Sequence, residues 1–350
     1  MAIAGNLLRN LLVGGEMVGD GGYYFGEKCA PAEADLVIVS APWSVTSDHG
    51  QGATYTPDAV IDASADSNLY DVESGFSAVG RVATAEIDYN IQEMSEHLGR
   101  DAERVADRMF NGGNPVAEYA VRKVKHINEG FAEMHASIYN QTKHWVSQGK
   151  TVAVIGGDHS VSYGAVKAIA EHHKDLGVLF IDAHADFAAA GEAFQYSHRS
   201  IARNIVEEIP LVSRLVEVGV RDIDKSELDM LLANDKVDLF LAEKVAAKRF
   251  EGECWGNLCR EMVEKLPQKV YVSLDIDALK IEFCTHTNSP VPGGMTFDEV
   301  VYLVNCVVKS GREIVGFDIT EVVSNIDDKM DAIVAVRLLT KLIVACLNKN

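Results

Sequence analysis

Carboxylate and imidazole side chains with the chemistry of metal ligands are concentrated in three short segments of the sequence. Residues 156–160 read GGDHS, residues 182–186 read DAHAD and residues 273–277 read SLDID. Because alternate residues of an extended chain point the same way, the polar side chains of DAHAD, and those of the DID triplet, can converge on one site. The candidate ligands are His159, Asp182, His184, Asp186, Asp275 and Asp277.

Charge balance indicates two divalent cations at such a site. Four buried carboxylates without a cation would repel one another, and burial would cost several kcal/mol per charge. Oxygen-rich ligation with some imidazole favours Mn²⁺, with Fe²⁺, Co²⁺, Ni²⁺ and Zn²⁺ as alternatives, and the lack of a cysteine ligand argues against structural zinc. Each aspartate taken singly could be a turn residue, so it is the set of six that favours the metal site.

The elements that must position these residues alternate between strands and helices. Short runs rich in Val, Ile and Leu predict eight strands, at residues 36–40, 83–87, 151–155, 177–181, 215–220, 237–241, 269–274 and 313–317. Apolar residues at helical spacing predict helices over residues 162–173 and 297–309. The pattern predicts a single doubly wound α/β domain over residues 1–350, with an eight-stranded, mostly parallel sheet and a mostly helical insert at about 91–148.

Ligands of open parallel sheets bind beyond the carboxyl ends of the strands. The third, fourth and seventh predicted strands lead into the GGDHS, DAHAD and DID residues, and the eighth leads into Asp318 and Glu321. The polar side chains should therefore meet at one edge of the sheet.

Composition excludes several classes of protein. The 350 residues carry 32 Lys and Arg against 52 Asp and Glu, a formal net charge of −20, which disfavours nucleic acid and anionic membranes and favours cations. The six cysteines include no CxxC pair, so no disulfide framework is expected. Arg9 interrupts the apolar start, and Arg337 and Lys341 interrupt the apolar run 332–346, so we expect a cytoplasmic protein without a signal peptide or membrane span.

Four segments in order resemble the signature blocks of the ureohydrolases, the superfamily that contains arginase, agmatinase, guanidinobutyrase and formimidoylglutamase. They are the three segments above and residues 316–322 (GFDITEV). The resemblance extends from about residue 41 to the C-terminus and includes residues 48–57 (DHGQGATYTP), where His49 could line the mouth of the site, and residues 290–294 (PVPGG). It implies an arginase-like fold and a homo-oligomer, either a trimer or a hexamer.

The resemblance also implies how the candidate ligands are shared. One Mn²⁺ would be held by His159, Asp182, Asp186 and Asp275. The other would be held by His184, Asp182, Asp275 and Asp277, so that Asp182 and Asp275 bridge the two ions. A bridging hydroxide would attack the central carbon of a guanidino group and release urea and an amine.

Three residues have catalytic roles by the same resemblance. Asp186 would accept the proton of the hydroxide and pass it to the departing amine. His198, in the Tyr-Ser-His-Arg loop, would exchange protons with solvent, although a surface histidine is the plainer interpretation of this residue. Glu321 would pair with the guanidinium and orient it, although it could simply cap the segment that follows.

Departures from the family pattern leave the substrate open. Lys280 and Ile281 replace an Asp-Pro pair, and Asn288 falls in a run that is usually Thr-Gly-Thr-Pro. The run Phe-Ala-Ala-Ala at residues 187–190 offers little to the α-carboxylate of arginine, which favours an agmatinase-like substrate. Arg199, if it faces the pocket, would instead favour an anionic substrate such as guanidinobutyrate or formiminoglutamate. Arginase, guanidinobutyrase and formimidoylglutamase activities therefore stay as alternatives.

More distant alternatives fit the sequence less well. A binuclear phosphoesterase would need cationic residues near the metals, for which only Arg199 and Arg203 are candidates. A non-catalytic relative should have lost ligands, and all six are present. No GxSxG elbow indicates a serine hydrolase.

Overall fold

A sheet of eight parallel strands lies at the centre of the computed structural model, which describes residues 22–47, 52–110, 118–189, 194–323, 325 and 328–348. The strands are β1 Leu36–Ser40, β2 Val82–Thr84, β3 Thr151–Ile155, β4 Leu176–Ile181, β5 Val212–Val218, β6 Val237–Phe240, β7 Lys269–Asp275 and β8 Glu313–Thr320. Their order in the sheet is β2-β1-β3-β8-β7-β4-β5-β6, and every pairing is parallel. The predicted fold class is confirmed, and the sheet is wholly rather than mostly parallel.

Helices connect the strands and cover both faces of the sheet. They are α1 Thr56–Ser64, α2 Tyr89–Phe110, α3 Glu118–Ser147, α4 Ser162–His173, α5 Ile201–Glu208, α6 Lys225–Ala233, α7 Ala242–Phe250, α8 Trp255–Glu264, α9 Phe297–Lys309 and α10 Met330–Leu347. Buried side chains form one core on each face: Leu179 of β4 faces the side that α10 covers, and Phe180 faces the side that α5 covers. Burial on both faces explains why the central strands are continuously apolar.

The predicted strands differ from the observed strands mainly at their ends. β1 and β3 have the predicted bounds, and so do α4 and α9. β2 ends at Thr84, because its pairing with β1 stops at Ile38. β8 continues three residues past the predicted end and includes Asp318, a buried polar residue that interrupts the apolar pattern.

Two predicted segments extend beyond the described residues. The stretch expected to be a helical insert consists of α2 and α3, and residues 111–117 between them lie outside the described part. Residues 48–51, which include His49, and residue 190 also lie outside it. Among the described residues no helix is long and apolar enough to cross a membrane, and the apolar C-terminal run is the buried helix α10.

Candidate metal centre and active site

Four neighbouring strands in the middle of the sheet deliver the predicted site residues. β3, β8, β7 and β4 lie side by side with their carboxyl ends at one edge. His159 follows β3, Asp182 follows β4, Asp275 ends β7 and Glu321 follows β8. The order of strands in the sheet therefore brings together residues that are up to 162 positions apart.

The six predicted ligands lie close together, and two overlapping groups have the spacing of metal sites. One group is His159, Asp182 and Asp186, and the other is Asp182, His184 and Asp277. His159 Nδ1 lies 2.9 Å from Asp182 Oδ2 and 3.3 Å from Asp186 Oδ2. His184 Nδ1 lies 3.0 Å from Asp277 Oδ2 and 3.5 Å from Asp182 Oδ1. Asp182 thus directs one carboxylate oxygen to each group, the geometry of a bridging ligand.

Asp275 joins the first group through a longer contact. Its Oδ2 lies 3.5 Å from His159 Nδ1, and its Oδ1 accepts a hydrogen bond from the backbone N–H of Asp277 at 2.8 Å. Asp275 therefore lies beside the first group and is bonded to the backbone of Asp277, although it belongs to neither of the tight clusters. Its bridging of two cations stays a prediction.

The pKa values of the buried carboxyls show that this site has excess negative charge. Burial and the neighbouring Asp182 raise the pKa of Asp186 to about 7. Burial, Asp277 and Asp182 raise the pKa of Asp275 well above its ordinary range. Burial alone would also raise the pKa of Asp182, but hydrogen bonds from His159 and His184 hold it below its ordinary value. Uncompensated charge in a buried oxygen-rich cluster is what divalent cations neutralise, so the residues fit a metal centre.

The pKa values of the two imidazoles are also raised, but by hydrogen bonds to carboxylates rather than by burial. Burial lowers the pKa of His184, but hydrogen bonds to Asp182 and Asp277 overcome burial and raise it to about 11. Hydrogen bonds to Asp182 and Asp186 likewise overcome burial and raise the pKa of His159. A bound cation would replace these protons, because a histidine ligand must be neutral.

A second layer of polar residues orients His159. Its Nε2 lies 2.9 Å from Ser273 Oγ, which donates to Asp318 Oδ1 at 2.9 Å. The imidazole stacks on Phe180, with ring centroids 4.4 Å apart. This arrangement leaves Nδ1 facing the ligand cluster, and it resembles the histidine–carboxylate supports that are common behind metal ligands.

Glu321 is held in a strained backbone conformation beside the cluster. Its φ of 59° lies in the left-handed region, which non-glycine residues rarely adopt, and its N–H donates to Gly157 O at 2.9 Å. Oε1 accepts the backbone N–H of His159 at 3.0 Å, and Oε2 accepts Asn288 Nδ2 at 3.0 Å. Each oxygen keeps a second lone pair, so the carboxylate can still accept both N–H groups of a guanidinium.

A pocket of about 580 Å³ opens onto these residues. His184, Asp186, Asp275, Asp277 and Glu321 line its floor, and His198 lies in its wall. Four charged side chains from other segments also line it: Arg199, Asp222, Asp224 and Glu227. The three acids follow β5 or begin α6 and were not singled out from the sequence, although they too lie just beyond the carboxyl end of a strand.

A parallel α/β sheet can support many unrelated reactions, so the class of the protein must be judged from its site. The cluster and pocket at the carboxyl edge of this sheet indicate a hydrolase. The sequence model of the Arginase family matches residues 34–345, and the chain belongs to that family. It is a ureohydrolase-type enzyme, which hydrolyses C–N bonds of amidines. The resemblance to the ureohydrolases is confirmed.

The names of two relatives indicate different substrates. The N(1)-aminopropylagmatine ureohydrolase of Thermus thermophilus is 29% identical over 303 residues, which cover 86% of this chain and 87% of the relative. The proclavaminate amidinohydrolase of Streptomyces clavuligerus is 34% identical over 171 residues, 48% of this chain and 53% of the relative. Its solved structure has a TM-score of 0.73 at 22% identity and covers 96% of this chain and 100% of that chain. The agmatine ureohydrolase of Thermoplasma volcanium has a TM-score of 0.69 at 20% identity and covers 94% and 95%.

Proposed function

We propose that this enzyme hydrolyses the guanidino group of a substrate whose other end is cationic, such as agmatine or its N(1)-aminopropyl derivative. The observation that carries the proposal is the pocket, in which Glu321 stands beside the six-residue cluster and three acids line the outer wall. A guanidinium directed to Glu321 places its central carbon near that cluster. The name of the Thermus thermophilus relative supports the same class of substrate.

We assign the two cation sites to the groups that share Asp182. His159, Asp182, Asp186 and Asp275 would hold one Mn²⁺, and His184, Asp182, Asp275 and Asp277 would hold the other. Divalent cations in such a pair lower the pKa of bound water and polarise the substrate. The oxygen-rich set with two imidazoles favours Mn²⁺ among the candidates.

The protein's own groups then divide the remaining tasks. Glu321 binds and orients the planar guanidinium through two N–H···O bonds. Asp186 would accept the proton of the attacking water and pass it to the departing amine, as the resemblance to the ureohydrolases implies. His198, in the pocket wall, passes protons between the site and solvent. The products are urea and an amine.

Charge in the outer pocket favours the cationic tail. Asp222, Asp224 and Glu227 carry three negative charges against the single positive charge of Arg199. Glu227 also accepts the N–H of Phe187 at 2.7 Å, which fixes it in the wall. Burial raises the pKa of Glu227, and the nearby Arg199 partly opposes that shift. An ammonium group therefore gains more in this region than a carboxylate.

Arg199 is the one observation that favours a second candidate. Its position in the pocket wall would allow it to bind the carboxylate of a guanidino acid. Hydrolysis of a guanidino acid such as guanidinobutyrate is therefore the alternative to be tested.

A substrate panel tests the proposal directly. The Mn²⁺-loaded enzyme is assayed for urea release from agmatine, N(1)-aminopropylagmatine, arginine and guanidinobutyrate, with E321A as a control that should bind metal and release no urea. We expect kcat/KM for the first two compounds to exceed that for guanidinobutyrate by about tenfold or more, the scale of one mismatched charged contact. A preference for guanidinobutyrate would establish the second candidate. No urea from any compound, with metal bound, would overturn the proposed reaction.

A further inference from the structure

The segment of residues 41–47, which follows β1, connects the turn that carries His159 to the loop that carries His198. Backbone hydrogen bonds join it to the end of β3 and to the turn: Ala41 N donates to Ile155 O at 2.9 Å, and Asp158 N donates to Trp43 O at 2.7 Å. Its far end, Thr46, reaches the His198 loop, which is 152 residues away in the chain. One short segment therefore contacts both parts of the site.

Thr46 contacts His198 at two atoms. Thr46 Oγ1 lies 3.0 Å from His198 Nδ1, and it accepts the backbone N–H of His198 at 3.3 Å. A backbone N–H can only donate, so Thr46 Oγ1 is the acceptor in the second contact and its own proton is available for Nδ1. Whichever of the two groups donates, Thr46 engages Nδ1 of an imidazole that lines the pocket.

The carboxylate of Asp158 fixes Thr46 itself. Asp158 Oδ2 accepts the backbone N–H groups of Val45 at 3.0 Å and of Thr46 at 3.4 Å. Its Oδ1 accepts the backbone N–H of Ser160 at 3.1 Å. Because Asp158 is completely buried and directly precedes His159, the position of Thr46 is tied to that of the metal-binding turn.

We propose that Thr46 is a positioning residue for His198, which holds the imidazole through Nδ1 and fixes its place in the pocket wall relative to the metal-binding turn. This inference rests on the proposed function, in which His198 transfers protons. It assigns a role to a residue that is not among those lining the pocket and whose hydroxyl acts through the histidine.

Isosteric and conservative substitutions test this role. T46V keeps the shape of the side chain and removes the hydroxyl, whereas T46S keeps the hydroxyl. We expect T46V to lower kcat by about tenfold or more, since proton transfer by a positioned side chain contributes roughly 10²–10⁴-fold, with KM and bound metal unchanged. T46S should restore kcat to within about threefold of wild type. T142V is the matched control, because Thr142 Oγ1 is buried without a hydrogen-bond partner among the described residues, and it should leave kcat unchanged.

A double-mutant cycle separates positioning from general damage. If Thr46 acts through His198, T46V should have no further effect on kcat in an H198A background. An equal loss in both backgrounds would show a structural role and overturn the inference. Normal turnover of T46V beside a slow H198A would also overturn it. A fully active H198A would instead refute the proposed role of His198 in proton transfer. T46A should repeat the T46V result and replaces it if T46V does not fold.

Discussion

Asp275 is the proposed ligand whose role depends most on the presence of metal. It is 3% exposed, its pKa is raised first by burial and then by Asp277 and Asp182, and it lies 3.5 Å from His159 Nδ1. Without a cation it adds like charge to a crowded site. With the two proposed cations bound, Asp275 would hold both, and their positive charge would offset that repulsion.

Replacement of Asp275 by Asn tests the bridging assignment. D275N should bind fewer than two metal ions per chain and lose at least about 100-fold in kcat/KM, beyond the 10–100-fold typical of groups that only support a ligand. Metal content measured by elemental analysis and urea release give the two readouts. D62N, on the exposed face of α1, is the control and should match wild type. Full metal occupancy and activity in D275N would refute the two-metal assignment.

At the scale of elements, strand β5 breaks its own apolar pattern at Glu217. This residue pairs with Phe180 of β4 and Leu239 of β6 and is completely buried. Neither carboxylate oxygen has a hydrogen-bond partner among the described residues. Burial, with Asp182, Asp186 and Glu227 nearby, raises the pKa of Glu217 well above its ordinary value of 4.5.

The raised pKa of Glu217 gives a stability that depends on pH. Between 4.5 and the raised value the folded chain keeps a proton that the unfolded chain loses, so the free energy of unfolding falls as pH rises through this window. E217Q removes the titration. In the metal-free protein it should therefore raise the free energy of unfolding more at pH 8.5 than at pH 5.5, by about 1 kcal/mol or more, since one pKa unit corresponds to roughly 1.4 kcal/mol. Urea denaturation at both pH values measures the difference, and the exposed E251Q should show none.

The elements also show which parts of the site could be predicted from sequence. The six metal-ligand candidates were found because strand alternation and the carboxyl-edge rule depend only on local sequence. The bounds of α4 and α9 were predicted because their apolar faces end where the helices do, and α9 begins with the capping box of Thr296 and Glu299. The end of β8 was not predicted, because Asp318 interrupts the apolar pattern inside the strand. A hydrogen bond from Ser273, 45 residues away, stabilises this buried carboxyl group.

The contacts that hold the site residues in place could not be predicted either, because they too join residues that are far apart in the sequence. Thr46, Asp158 and Asn288 act through partners 33 to 152 residues distant, and no local pattern reports such a pairing. The helix α3 likewise supports the site, because His135 Nε2 donates to Ser160 O at 2.9 Å, a contact between residues 25 positions apart. Burial lowers the pKa of His135 to about 4, so it acts there as a neutral donor.

At the scale of the whole molecule, the charge of −20 should guide a cationic substrate toward the pocket. In the pocket wall three acidic side chains outnumber one arginine, so the negative electrostatic potential extends to the site. Long-range attraction of this kind raises the rate of encounter and is screened by salt, because the Debye length falls from about 10 Å at 0.1 M to about 3 Å at 1 M ionic strength. The attraction acts on binding and not on the chemical step.

Salt should therefore change kcat/KM for the cationic substrate and leave kcat nearly constant. Between about 0.05 M and 0.5 M NaCl we expect kcat/KM for agmatine to fall by roughly 3–10-fold, within the 10–10³-fold range known for electrostatic steering. Guanidinobutyrate, a zwitterion without net charge, is the internal control and should change by less than about twofold. Equal salt dependence for both compounds would mean that salt acts on the enzyme rather than on attraction of the substrate. A rise in kcat/KM for agmatine would show that Arg199, and not the three acids, determines the potential that the substrate meets.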